Sequence, residues 1–143
     1  SFKKSDDPIF FLESLLDLTY QFDFQISIIS KAYYGRNFPK KIKHIIEDLY
    51  KNLGEKLVIH DFLEDNNFYK EIISSNIILL PRSNFGLSMY NQPMRLSEYS
   101  LFEKDILTTN IDEQYSAISD KIHLYQTSNK KSFKEILSKL LIK

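Results

Sequence analysis

The chain has 143 residues, of which 43% are hydrophobic and 14% aromatic, so it can bury one sizeable core and no more. Its 19 Lys and Arg balance its 19 Asp and Glu, which gives no reason to expect nucleic acid, and the absence of cysteine excludes disulfides, thiolate metal sites and cysteine nucleophiles. No apolar run approaches the roughly 18 residues of a membrane span, and we expect a cytoplasmic protein.

The first half of the chain predicts a helix, a strand and a second helix. Pro8 suits a first helical turn, and apolar residues recur at helical spacing from there to about residue 20. Apolar residues over 24–29 predict a strand, alternating at first. The next helix opens at Pro39 and is expected to end at Gly54. Its apolar stripe follows the i, i+3, i+4, i+7 pattern: Ile42, Ile45, Ile46 and Leu49.

The second half continues the alternation with shorter elements. In chain order they are a strand over 57–59, a polar connection over 61–67 leading into a helix through 72–73, a strand over 77–80, a helix over 93–102, a strand over 105–109, a short helix over 112–119 and a strand over 122–125. Ser132 and Glu135 have the spacing of a capping box, which predicts that Ser132 caps a final helix. The apolar positions of that helix are Phe133, Ile136, Leu137, Leu140 and Leu141.

Short strands that alternate with helices predict an α/β fold, with a doubly wound, mainly parallel, Rossmann-like sheet and helices on both faces. We expect a single domain over residues 1–143. Domains of this kind normally open on their central strand, whereas the first predicted element here is a helix. We therefore expect the first strand in a segment before Ser1 of a longer parent protein.

Ligands of open α/β sheets bind beyond the carboxyl ends of the strands, where strand order reverses. The loops expected there are 2–7, 30–37, 60–66, 81–92 and 108–112. Basic, hydroxyl and amide side chains gather in or next to them: Lys3, Lys4, Lys31, Arg36, Arg82, Arg95, Ser83, Ser88 and Asn91. Any one of these lysines is more often a solvated surface charge than a ligand contact. Their shared position nevertheless indicates a site for an anion.

Arg95 and Glu98 are the candidates with the most specific setting. Pro93 predicts a helix start just before them, and a spacing of three residues puts both on one helical face. A guanidinium can clamp phosphate oxygens, and a carboxylate can accept two hydrogen bonds from a ribose diol. The pair therefore predicts a nucleotide ligand. The alternative is an exposed ion pair that contributes only a few tenths of a kcal/mol.

These residues also carry a family resemblance. Pro-x-Arg-x-x-Glu-Tyr over 93–99, after the apolar run 77–80 and before the strand pattern 106–109, resembles the C-terminal, donor-binding domain of GT-B glycosyltransferases of the group 1, family 4 kind. The resemblance covers most of the chain. It implies one half of a hexosyltransferase that moves a sugar from a nucleotide-diphosphate sugar, such as a UDP-sugar, to a growing glycan or lipid, as in polysaccharide biosynthesis.

The resemblance assigns roles to individual residues. Glu98 corresponds to the carboxylate that binds the ribose hydroxyls of the nucleotide. Arg95 corresponds to a cation near the diphosphate, and Lys4 is the candidate for a second one. The catalytic residues stay unassigned.

A loop before Glu98 both matches and departs from the family. Asn-Phe-Gly-Leu-Ser over 84–88 is similar to a Gly-Phe-Gly-Leu-Ser loop, with Gly86 at the second glycine and Ser83 where retaining members have a glutamate. Tyr90 stands eight residues before Glu98, at the other place where that glutamate would fall. Residues 103–105 replace the usual Gly-x-Pro. The donor sugar and the stereochemistry of transfer stay open.

For cofactors and partners the resemblance implies no metal and no nucleic acid. The nucleotide sugar is the substrate, and cations and a helix dipole would stabilise the departing diphosphate. A glycan or lipid acceptor would bind to an N-terminal domain outside this sequence. The parent protein would be cytoplasmic, with peripheral association at the inner face of the membrane as a further expectation. This domain alone would bind nucleotide weakly and transfer nothing.

Two other classes of protein remain open. The first is a non-catalytic α/β interaction or scaffold module that has lost the donor site. The second is a flavodoxin-like or receiver-like signalling domain. The sequence has no phosphate-binding Gly-Lys-Ser/Thr loop, dinucleotide fingerprint or nucleophile elbow. Of the three histidines only His60, predicted at a strand's carboxyl end, is worth testing as a site residue.

Overall fold

The secondary structure follows the predicted alternation of helices and strands. The structure is a computed structural model, and it describes residues 8–29, 40–60, 63–80, 94–110, 117 and 119–143. Its elements are α1 (Pro8–Leu18), β1 (Ile26–Ile29), α2 (Lys40–Leu53), β2 (Leu57–His60), α3 (Asp65–Ser74), β3 (Ile77–Leu80), α4 (Met94–Ser100), β4 (Asp105–Thr109), β5 (Ile122–Tyr125) and α5 (Lys130–Leu141). The predicted helix over 112–119 lies outside the described residues except for 117 and 119.

The five described strands form two small parallel sheets. In the first, β1 pairs with β2, and Ile26 lies opposite Leu57. In the second, β4 lies between β3 and β5, with Ile106 opposite both Ile78 and Ile122. The predicted α/β class and the parallel strands are therefore confirmed. Within the described residues the strands make two sheets where the sequence predicted one.

Three helices share the larger hydrophobic core. α1 contacts α2 on one side and α5 on the other. Their apolar faces pack on side chains from both sheets, including Ile28 of β1 and Leu107 of β4. The predicted stripe of α2 is confirmed, because all four of its members are buried: Ile42, Ile45, Ile46 and Leu49. The longest described helix has 14 residues, and none of those described combines the length and hydrophobicity that crossing a membrane requires.

A smaller core lies on the opposite face of the three-stranded sheet. Ile72 of α3 and Leu96 of α4 pack there against Ile78 and Ile106. Neighbouring residues of β3 point to opposite faces, because Ile77 and Leu79 contact the larger core while Ile78 lies in the smaller one. Helices therefore cover both faces of this sheet.

The ends of two helices differ in how well the sequence predicted them. Gly54 directly follows α2 with φ of +58°, a left-handed conformation that glycine adopts without the penalty of a Cβ, as expected for the end of a helix. The prediction that Ser132 caps the last helix is wrong. The N-cap of α5 is Asn129, whose side-chain oxygen accepts a hydrogen bond from the backbone N–H of Ser132 at 2.9 Å. The Ser132 hydroxyl instead accepts from the backbone N–H of Gln126.

Replacing Asn129 with alanine should lower the free energy of unfolding by about 1 kcal/mol, because the backbone N–H of Ser132 loses its acceptor. Asn129→Asp keeps an acceptor oxygen at the same place and should lower the free energy of unfolding much less. Urea denaturation of the two variants measures the difference. Equal stability of Asn129→Ala and the unsubstituted chain would contradict the assignment of the cap.

Candidate functional site

Polar side chains collect at the edge of the three-stranded sheet where its strands end. β3 ends at Leu80, β4 at Thr109 and β5 at Tyr125, and parallel strands end at the same edge. α3 and α4 each lead into the start of the next strand, so their N-terminal turns lie at this carboxyl edge. Ligands of open α/β sheets bind at such an edge.

Glu98 lies on α4, the helix that follows β3, with its carboxylate exposed to solvent. It is the fifth residue of α4, and Tyr69 is the fifth residue of α3, so both stand about one turn into their helices. The Tyr69 hydroxyl donates a hydrogen bond to Glu98 Oε1 at 2.7 Å. The Tyr69 ring stacks on Phe102, with centroids 5.8 Å apart and an angle of 27° between the planes. Tyr69 therefore fixes the direction of the carboxylate.

This arrangement leaves Glu98 able to bind a ligand. A carboxylate has about four acceptor positions, and the Tyr69 hydroxyl occupies one of them. Because the side chain is exposed, two hydroxyl groups of a ligand can approach the remaining positions. Leu96 and Tyr99, on the other side of the helix, are buried and hold α4 against the smaller core.

The other predicted site residues are not tested by the structure. Arg95 belongs to α4, but its side chain lies outside the described residues, so its predicted contact with a phosphate stays a prediction. The remaining four predicted donor contacts also lie outside the described residues: Lys4, Ser83, Gly86 and Tyr90. The sequence missed Tyr69, since nothing in the local pattern of α3 indicates a contact with a residue 29 positions later.

A second cluster of polar side chains joins the residues that follow β4 and β5. The backbone N–H and the hydroxyl of Thr127 both donate to the side-chain oxygen of Asn110, at 3.1 and 2.7 Å. The Thr109 hydroxyl hydrogen-bonds that of Thr127, and the Thr108 hydroxyl donates to the Leu80 carbonyl at 3.2 Å. The loop 108–112 was predicted at the site, but Asn110 and Thr127 were not singled out. Their bonds order this part of the carboxyl edge.

His60 ends β2, as predicted, and lies against Glu71 of α3. Its Nε2 atom is 3.3 Å from Glu71 Oε1, close enough for an ion pair but without the alignment of a hydrogen bond. Ser27 of β1 donates to the other carboxylate oxygen of Glu71 at 3.0 Å. Glu71 therefore connects α3 to both strands of the two-stranded sheet, β1 and β2. In the described part of the chain, no three metal-ligating side chains gather around a common point.

A cluster of charged side chains lies at the amino edge of the three-stranded sheet, where its strands begin. Asp105 Oδ1 is 2.9 Å from Nε2 of His123 and 3.3 Å from Nζ of Lys143. Burial alone would raise the pKa of the Asp105 carboxyl, but the hydrogen bonds to His123 and Lys143 outweigh it and hold the pKa below its usual value of 3.8. The cluster joins the first residue of β4 to the end of the chain.

This cluster should make the free energy of unfolding depend on pH in acidic solution. Because the folded-state pKa of Asp105 is lowered, its contribution is fully present above pH 3.8 and is lost as pH falls through the folded-state pKa. Asp105→Asn should therefore reduce stability at neutral pH and flatten its decline below about pH 4. Urea midpoints measured from neutral pH to about pH 2 test this, with the exposed Asp120→Asn as control. Parallel pH profiles for Asp105→Asn and the unsubstituted chain would contradict it.

Comparison of the chain with known protein families and with curated protein sequences finds no match. Glu98 is an exposed carboxylate on α4 that accepts one hydrogen bond, from the Tyr69 hydroxyl, among the described residues.

Proposed function

We propose that this domain is the donor-binding half of a glycosyltransferase with two facing Rossmann-like domains, and that it binds the nucleotide of a nucleotide-diphosphate sugar. The observation that carries the proposal is the position of Glu98. Its carboxylate is exposed on α4, the helix that follows β3, and accepts a hydrogen bond from the Tyr69 hydroxyl. A ribose presents two adjacent hydroxyl donors, which a carboxylate at this place can accept together.

The orientation of Glu98 before binding favours affinity. Ordering a flexible glutamate on binding costs about 0.5–1.5 kcal/mol, and the Tyr69 hydrogen bond has already restricted the side chain. Arg95 follows the start of α4 and, with Lys4, supplies the positive charge that the diphosphate needs in this proposal. The sugar then faces the acceptor domain, which lies outside this sequence. Transfer requires both halves, so this domain alone binds nucleotide without catalysing transfer.

The position of the bound nucleotide can be mapped by NMR. Titration with UDP should shift the backbone amide signals of Glu98, the proposed ribose contact, and of Asn110, which follows the end of β4. The amides of Asp105 and His123, near the amino edge, serve as internal controls and should shift little. Shifts concentrated at Asp105 and His123 would contradict the proposed site.

A scaffold module is the second candidate, and the Tyr69–Glu98 hydrogen bond is the observation that favours it. Together with the Tyr69–Phe102 stacking, this bond links α3 to the end of α4 without any ligand. If that link is the whole role of Glu98, its replacement lowers stability and leaves any nucleotide binding unchanged. The two candidates therefore predict opposite results for the same substitution.

A further inference from the structure

β2 leaves one edge of the two-stranded sheet unpaired. In the described part of the chain, β2 pairs only with β1, so the backbone N–H and C=O groups on its other side have no strand partner. Proteins commonly guard such edges with lysine, proline or a bulge. The sequence of β2 is Leu-Val-Ile-His, paired with β1 without a bulge, and Val58 is 43% exposed. The edge is therefore open to pairing with a further strand.

The two flanks of α2, the helix that connects β1 to β2, have different surroundings. Lys41 forms an ion pair with Glu13 of α1 at 3.3 Å. Asn52 donates a hydrogen bond to the hydroxyl of Thr19, the residue after α1, at 2.8 Å. These two bonds place α1 along the flank of α2 that carries Lys41 and Asn52.

The other flank of α2 lies on the side of β2. With about 3.6 residues per turn, Lys43 and Tyr50 point away from the flank that carries Lys41. Crossovers between parallel strands are right-handed in about 98% of cases, and a right-handed connection through α2 places β2 on the side of β1 that is farther from α1. Tyr50 is 41% exposed, and it therefore stands on the same side of the domain as the open edge of β2.

A second copy of the chain fits this edge through an antiparallel pair of β2 strands. Residues directly opposite each other in such a pair point to the same face of the sheet. With a two-fold axis at Val58, the two Val58 side chains meet on one face, and Leu57 of each copy lies opposite Ile59 of the other. Leu57 and Ile59 both pack in the larger core, so the apolar face continues from one copy to the next.

The charges of α2 complement those of a second α2 that runs in the opposite direction. The first four residues of the helix, 40–43, include three lysines, whereas its second half carries Glu47, Asp48 and a single lysine, Lys51. A two-fold axis brings the lysine-rich start of each helix nearer the acidic half and the negative dipole end of the other. A parallel arrangement would instead bring the two lysine-rich turns together.

We infer that the open edge of β2 and the flank of α2 that carries Tyr50 form an interface with a second copy of this chain. The strands of the two copies then make one four-stranded sheet with an antiparallel pair at its centre. This pairing gives partners to the backbone groups of the edge and covers Val58 and Tyr50. The inference rests on strand pairing and charge, and it does not depend on nucleotide binding.

The first test is sedimentation equilibrium of the chain between about 1 and 500 µM, where a dimer should increase with concentration. Val58→Lys changes an exposed side chain and brings two ammonium groups together at the axis, so it should raise the Kd of the dimer at least about 10-fold.

The matched control for Val58→Lys is Ile73→Lys, which also replaces an exposed apolar side chain. Ile73 is 58% exposed and lies on the other side of α3 from Glu71, the residue that contacts β1 and β2. Its replacement should leave the Kd of the dimer unchanged.

Amide hydrogen exchange of the unsubstituted chain locates the interface without any substitution. Alternate amides of β2 point to the open edge, and they should exchange at least about 10-fold more slowly at high concentration than at low. Those of β5, whose outer edge is also unpaired in the described residues, should not change. A chain that stays monomeric to about 500 µM would overturn the inference. So would a dimer that Val58→Lys leaves intact, or protection confined to β5.

Discussion

Replacing Phe133 with alanine is expected to lower the free energy of unfolding by about 3–5 kcal/mol, the largest effect of a single substitution that we expect in this domain. Phe133 is 1% exposed and joins three elements. Its ring makes edge-to-face contacts with Tyr125 of β5 and with Phe10 of α1, with ring centroids 5.0 and 5.7 Å apart. Alanine would remove these contacts and leave a cavity beneath α5, and urea denaturation measures the loss.

Two controls separate packing from other effects. Phe133→Leu keeps much of the volume and should cost less than Phe133→Ala. Tyr20→Ala removes an aromatic ring that is 74% exposed and should change stability by less than about 0.5 kcal/mol. A loss below about 1 kcal/mol for Phe133→Ala would contradict the packing of α5 on α1 and β5.

Replacing Glu98 with alanine should weaken nucleotide binding by about 1–3 kcal/mol, because the ribose hydroxyls lose their acceptor. That loss corresponds to a roughly 5- to 150-fold increase in Kd. Stability should change by less than about 0.5 kcal/mol, since Glu98 is exposed and makes one hydrogen bond to an exposed tyrosine. Calorimetric titration gives the Kd, and urea denaturation checks the fold.

The matched control for Glu98→Ala is Glu64→Ala, which removes an exposed carboxylate just before α3. Its nucleotide affinity should equal that of the unsubstituted domain. Tyr69→Phe removes only the hydroxyl that orients Glu98 and should cause a smaller loss of affinity than Glu98→Ala. Unchanged binding together with lowered stability in Glu98→Ala would instead support the scaffold module.

Features that depend on local spacing could be predicted from the sequence. The stripe of α2 is buried as expected, because helical periodicity alone decides which side chains share a face. The strands at Ile77–Leu80 and Asp105–Thr109 were placed correctly, since short apolar runs between turn signals are typical of buried parallel strands. The position of Glu98 on a helix after a buried strand was predictable for the same reason.

Features that depend on tertiary contacts could not be predicted in this way. Ser132 had the spacing of a capping residue, but Asn129 took that role while the Ser132 hydroxyl accepted a bond from Gln126. The hydrogen bond from Tyr69 to Glu98 joins two helices 29 residues apart, and no local pattern in the sequence indicates it. The division of the strands into two sheets likewise depends on which edges meet in space, which no periodicity encodes.

The most direct test of the donor-domain proposal is calorimetric titration with UDP and with GDP. We predict weak, saturable binding of one nucleotide per chain, and a preference between the two identifies the base. No saturable binding of either nucleotide up to about 1 mM would contradict this prediction.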